Sequence, residues 1–144
     1  MKIPKYQIIQ FDKQEKFEAD YLVIGAGATS LAFVDEIITS TKNIKIIVVE
    51  RRGKPGGHWN DAYPFATLQN PEAWYGVSSK ILGSGSQELA SKAKIIAYYE
   101  DVAKSLSSTG RVKFFWKCEY QKDGKILSLT EIDQEYQVGI IGSD

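Results

Sequence analysis

The sequence predicts an α/β fold: a βαβ unit with a parallel sheet, followed by a second helix and a small antiparallel β-meander. Three observations carry that prediction. Two short apolar runs, Tyr21–Ile24 and residues 44–49, read as strands buried on both faces. Between them Leu31, Phe33, Val34, Ile37 and Ile38 recur at helical spacing. From Val112 onward apolar and charged residues alternate with period two, punctuated by the turn dipeptide Asp123-Gly124.

The elements follow in chain order. Residues 1–18 are polar and mixed, an N-terminal arm whose Ile8, Ile9 and Phe11 are its packing residues, and residues 19–144 make the domain proper. The first strand runs into Gly25-Ala-Gly27, and a helix follows from Ala28 to about Ser40, with Asp35 and Glu36 expected to face away from the core. Ser40-Thr-Lys-Asn43 ends it, and the second buried strand runs to Glu50. The right-handed crossover rule lays the helix across the sheet, giving a Rossmann-like unit. Residues 51–86 are irregular but rich in aromatics, a composition that argues for an ordered, functional segment. Ser84-Gly-Ser-Gln87 is the expected cap of the next helix, with a stripe of Leu89, Ala93, Ile96, Tyr99, Ala103 and Leu106, and Thr109-Gly110 ends it. One strand over 112–120, the Asp123-Gly124 hairpin, and strands over 125–130 and 135–138 complete the meander.

Composition narrows the function classes. The 144 residues carry 18 basic and 18 acidic side chains, a balance that does not suggest a surface for nucleic acid or an anionic membrane. The single cysteine, Cys118, forms no internal disulfide and suits a reducing compartment, and on the apolar side of its strand it reads as buried and inert. With one histidine beside it, no metal site is expected. No run is long or apolar enough for a signal peptide or a membrane span, so a soluble, cytoplasmic protein is the expectation.

The chemistry concentrates between Gly25 and Trp59. A pyrophosphate needs a backbone that approaches without a Cβ in the way. Gly25 permits the tight turn, Gly27 the close approach, and a helix opening on Ala28, Thr29 and Ser30 directs its positive end at the anion. Ser30 occupies the place of the usual third glycine, and taken alone the turn also suits an ordinary strand–helix connection. Glu50 ends the second strand, where an acid accepts ribose hydroxyls and repels a 2′-phosphate. Arg51 and Arg52 suit adenine stacking, phosphate neutralisation or a solvent-facing surface. Gly56-Gly57 would let a second loop reach the pyrophosphate, which favours flavin over nicotinamide; it also suits a plain turn. His58 has a hydrogen-bonding or packing role, and Trp59, Tyr63 and Phe65 either wall a flat ring or pack the loop, with packing expected for Trp74.

Together Gly25-Ala-Gly27-Ala-Thr, Val48-Val-Glu50-Arg51, Gly56-Gly57-His58-Trp59 and Ala62-Tyr63-Pro64 resemble the FAD-binding N-terminal part of flavin-dependent monooxygenase-like oxidoreductases. Leu68-Gln69-Asn70-Pro71 and the Tyr75-Gly-Val-Ser-Ser run resemble FAD/NAD(P)-binding proteins allied to them, so the likeness covers residues from about 18 to 138. The resemblance implies FAD as cofactor, with Gly25, Gly27 and Ser30 at the pyrophosphate and Glu50 at the ribose. It places Gly57, His58 and Trp59 along the ribityl path, and Gln69 or Asn70 near the flavin ring. A complete member uses NADPH as reductant, through a second glycine-rich turn that this chain lacks. The expectation is therefore an incomplete FAD-binding domain, unable to turn over alone, with a second chain as a partner that would complete the oxidoreductase. Two other readings stand beside it: a minimal NAD- or nucleotide-binding regulatory or assembly module, and a non-binding remnant whose sheet edge pairs with another chain.

Overall fold

The computed structural model describes residues 6–10, 16–121, 125–128 and 135–140. Its class is the expected α/β one. In chain order the elements are β1 (Tyr6–Gln10), β2 (Lys16–Ala19), β3 (Tyr21–Ile24), α1 (Ala28–Ser40) and β4 (Ile46–Glu50). Two 3-10 turns (Gly57–Asp61 and Glu72–Trp74) and the short strands β5 (Gly76–Val77) and β6 (Lys80–Ile81) follow. Then come α2 (Lys92–Ser108), β7 (Val112–Trp116), β8 (Cys118–Tyr120), β9 (Lys125–Ser128) and β10 (Glu135–Ile140).

The strands β3, β4 and β7 form a parallel sheet with β4 central, in register Val23↔Val48 and Val48↔Phe114. Period-two alternation then sorts β4 between two cores. Ile46 and Val48 face the helices and pack with Leu31, Val34, Ile95 and Val102. Ile47 and Val49 face the other way and pack with Cys118 and Ile126 of a five-stranded antiparallel sheet ordered β2-β1-β10-β9-β8. The molecule is thus three layers, helices on parallel sheet on antiparallel sheet. Strands β1 and β2 carry the described part of residues 1–18 into that outer sheet.

Several local expectations give way to tertiary partners. Asp35, expected to face away, is buried; its carboxylate accepts from the Ser79 amide at 3.0 Å and from the Ser79 hydroxyl. Phe33 of the expected stripe is exposed, edge-on to Tyr21. The cap of α2 is Ser91, whose Oγ accepts from the Lys94 amide at 3.2 Å, and not the 84–87 run. The hydroxyls of Ser84 and Ser86 are instead turned onto the buried Glu72 carboxylate. The later start shifts the buried stripe to Ile95, Tyr98, Tyr99, Val102, Ala103 and Leu106, and leaves Leu89 exposed outside the helix. Thr109-Gly110 ends α2 as expected, with Gly110 in the left-handed region. The single strand expected over 112–120 is two: Lys117 takes φ 53 and sends β8 into the outer sheet. The Asp123-Gly124 turn, Phe11 and residues 129–130 lie outside the described residues, whereas the meander strands β8, β9 and β10 pair as expected.

Candidate functional site

A cleft of about 630 Å³ opens where β3 and β4 end, at the carboxyl edge of the parallel sheet. Ile24 and Gly25 form one wall, residues 49–52 the floor, and residues 118–120 of β8 the other wall. Open parallel sheets place ligands at this edge because strand ends and helix N-termini converge there.

The glycine turn is built from long-range backbone bonds. Gly25, at φ 98, donates to the Val49 carbonyl at 2.8 Å. Gly27 is the N-cap of α1 and has no side-chain cap bond. The first turn, Ala28, Thr29 and Ser30, carries no acid of its own. Ser30 Oγ lies 3.8 Å from where a Gly25 Cβ would sit, so the serine fits under the turn without displacing it.

Glu50 is 4% exposed and holds the turn. Its Oε1 accepts from the Ala26 amide at 2.8 Å and its Oε2 from the Arg52 amide at 2.6 Å. Each carboxylate oxygen has two lone-pair directions, so each retains one for a ligand hydroxyl. Arg51 is exposed on the cleft, while the Arg52 guanidinium is paired with Asp61.

The second glycine pair meets the first. Gly56 donates its amide to the Ala26 carbonyl at 3.0 Å, and a Cβ on Gly57 would stand 3.1 Å from the Gly27 Cα. Glycine is favoured at position 57, which takes φ 55 and would press a Cβ against the Gly27 backbone, whereas a Cβ on Gly27 would make an ordinary contact at 3.6 Å. Asn60 fixes the crossing loop, donating to the Pro55 and Gly57 carbonyls at 3.1 and 2.9 Å.

Other expected site residues are placed elsewhere. The Trp59 ring packs on the helix-side core, and its indole N–H donates to the Tyr75 hydroxyl at 3.0 Å. His58 is exposed and stacked on it. Tyr63 and Phe65 stack on each other at 5.3 Å in solvent, so neither packs the loop, and Trp74, expected to pack, is 74% exposed. Gln69 and Asn70 are exposed and outside the lining of the cleft. The β8 wall was missed by sequence reasoning: Glu119 and Tyr120 reach the cleft only because the chain breaks at Lys117. Its Cys118 is buried, and desolvation pushes the thiol up to about 11, so it remains protonated and unreactive.

Among the described residues no cluster of His, Cys, Asp and Glu could hold a metal, and no helix is long and apolar enough to cross a membrane. No family model matches the chain. Uncharacterized proteins of Mycobacterium tuberculosis and Mycobacterium bovis are 43% identical to it over 124 residues, covering 78% of this chain and 23% of theirs. The chain therefore spans about a quarter of the length of the curated relatives it matches. A flavin-containing monooxygenase from Stenotrophomonas maltophilia is structurally similar with a TM-score of 0.60 at 16% identity, over 81% of this chain and 35% of that one. A bacillithiol disulfide reductase from Staphylococcus aureus gives 0.58 at 16% identity, over 80% and 35%. Cyclohexanone monooxygenase from Rhodococcus, bound to NADP+, gives 0.57 at 18% identity, over 85% and 24%. These structures share their fold with this chain.

Proposed function

We propose that the chain is the dinucleotide-binding part of a flavin-dependent oxidoreductase, with FAD as its cofactor. The observation that carries the reading is the cleft itself: Gly25 of the glycine turn and the half-satisfied Glu50 carboxylate border one opening at the sheet's carboxyl edge, and the turn runs directly into the start of α1, which has no side-chain cap. In this reading the amides of Ala28, Thr29 and Ser30 face the pyrophosphate, beside Gly25 and Gly27. Glu50 accepts the ribose hydroxyls, Arg51 offers charge at the rim, and β8 flanks the adenine. The second loop, Gly56 to Trp59, covers the turn, while Gln69 and Asn70 approach the flavin on a longer path. FAD would supply the redox chemistry; the chain's own residues bind, orient and exclude water. Residues 19–144 then make an FAD-binding domain, incomplete relative to the resembled family, with residues 1–18 as an arm on its outer sheet. The reductant and a completing second chain belong to this proposal as well.

The test is the visible spectrum of freshly purified protein, with identification of any flavin released on denaturation. FAD in the released fraction supports the reading; colourless protein that gains neither colour nor thermal protection from added FAD would sink it. A second reading is a module for NAD or another adenine nucleotide, supported by a lining that comes from the end of one βαβ unit and β8 alone. Thermal protection by NAD or ADP-ribose, with none from FAD, would select it. In either case Glu50→Ala should abolish the protection.

A further inference from the structure

A second cavity, of about 140 Å³, lies between α1 and α2 and is bordered by Val77, Ser79 and Lys80 of the connection that crosses them. Its wall is mostly apolar, with Ile38, Val77, Val102 and Leu106 all buried. Asp35 also lines it and is only 2% exposed.

A carboxylate taken out of water is costly unless a cation or several hydrogen bonds compensate it. Asp35 has two such bonds, both from Ser79: its Oδ2 accepts from the amide at 3.0 Å and its Oδ1 from the hydroxyl. Each oxygen keeps a further lone-pair direction. Among the described residues no cation is paired with it. Lys80, the basic residue on the wall, is paired with Asp101. Arg111 spends its guanidinium on the Ile38 and Ile44 carbonyls and the Thr41 hydroxyl. The Tyr98 hydroxyl is likewise taken up by the Val77 amide and the Lys80 carbonyl. On the wall itself, the Thr39 and Thr109 hydroxyls donate to helix carbonyls, which leaves the Ser105 hydroxyl and the Asp35 carboxylate for a ligand. The last turn of α2 carries no basic residue of its own.

We infer that this cavity is a binding site for a small primary amine in its ammonium form. Asp35 and Ser105 accept from the nitrogen, and the apolar wall takes a short aliphatic tail. Size agrees, since an apolar cavity of about 150 Å³ holds a ligand of roughly six heavy atoms. An apolar wall with a few convergent polar groups is how small-molecule sites are built, and the one uncompensated charge selects a cation. The cavity shares no lining residue with the cleft, so it stands whether or not FAD binds there.

The test titrates the full 144-residue chain with n-butylammonium chloride and follows the amide chemical shifts of Ser79 and Ser105. Sodium chloride at equal ionic strength and n-butanol serve as references. Saturable shifts are expected with butylammonium, weaker binding with butanol, and none with sodium. Asp35→Asn keeps the side chain's shape and an acceptor for the Ser79 amide but removes the charge. It should weaken butylammonium binding by roughly ten- to a hundredfold and leave butanol unchanged. Should that variant unfold, Thr39→Trp decides: Thr39 is an exposed residue of the lining, so a bulky ring there should plug the cavity, abolish the shifts and retain the circular dichroism. Absent or non-saturable shifts in the unaltered chain, equal affinity for butanol, or butylammonium binding that survives Asp35→Asn or Thr39→Trp would each overturn the inference. Amine-dependent shifts in a protein that ignores added FAD would sink the flavin reading alone.

Discussion

The connection between β4 and α2 contains two irregular segments anchored to different parts of the molecule, the first to the glycine turn and the second to the two helices. Residues 51–61 are tied to the glycine turn by backbone bonds and held internally by the Asn60 and Arg52 side chains. Gly56 bonds the Ala26 carbonyl, Gly57 crosses Gly27, and the Lys117 amide bonds the Arg52 carbonyl at 3.0 Å. Residues 66–91 combine backbone bonds, such as the Glu72 amide to the Glu88 carbonyl at 2.8 Å, with buried side chains. Glu72, fully buried, accepts from Lys94 at 2.5 Å and from the Ser86 hydroxyl at 2.8 Å. Asp35 holds Ser79, and the Tyr98 hydroxyl bridges the Val77 amide and the Lys80 carbonyl. The first segment begins at the cleft, which Arg51 and Arg52 line. Side-chain knots turn polar groups inward from Glu72 onward and leave Trp74 and Ile81 facing water, so residues 72–91 act as a strut.

Cutting the knot is the sharpest way to break this comparison. Glu72→Ala should produce the largest change, a loop from 66 to 91 that exchanges and is proteolysed fast while β3, β4 and β7 stay protected. Uniform loss across the sheet would show that the loop is not a separate unit. The knot also predicts an acid limb. Hydrogen bonds from Lys94 first, then Ser86, lower the Glu72 carboxyl from 4.5 to about 2. A depressed carboxyl stabilises fully above its unfolded value, so its contribution is complete above pH 4.5 and is lost as the pH falls toward 2. Glu72→Gln should flatten that limb in acid melts.

Gly76→Val comes next. Gly76 sits at φ 112, and a Cβ there would lie 2.4 Å from the Tyr98 hydroxyl. Strain and the lost bridge should cost about 3 kcal/mol, lowering Tm by roughly 6–12 °C. Glu50→Gln tests the other segment. Its amide group cannot accept from both Ala26 and Arg52, so about 2 kcal/mol should be lost together with nucleotide protection. Loss of stability with protection intact would separate the turn-holding role from the ribose role. Smallest of all, Tyr63→Ala and Phe65→Ser alter a stacked pair in solvent and should shift stability by less than about 0.5 kcal/mol.

Much of the fold was legible beforehand, and the reason is local. Tyr21–Ile24 and Ile46–Glu50 have no polar residue before the final acid, and α1 starts and stops on glycine and on Ser40-Thr41. Such signals act within a few residues of the structure they specify. The floor of the cleft was legible for the same cause, since the turn and Glu50 belong to one βαβ unit. The far wall was not. Apart from Phe115, residues 112–120 alternate through Lys117, and nothing local marks the place where β4 has no more length to pair with.

The sequence by itself determined the two-core strand β4, the glycine turn and the acid that follows it, because periodicity and glycine's missing Cβ are properties of the residues alone. Only the tertiary structure decided that Asp35 turns inward to a partner 44 residues away, that Ser91 rather than Ser84 caps α2, and that Gly57 lies across Gly27. Each of these depends on a group distant in the chain whose hydrogen-bonding capacity or free volume is set by packing, and a buried polar group follows its partner rather than its local pattern.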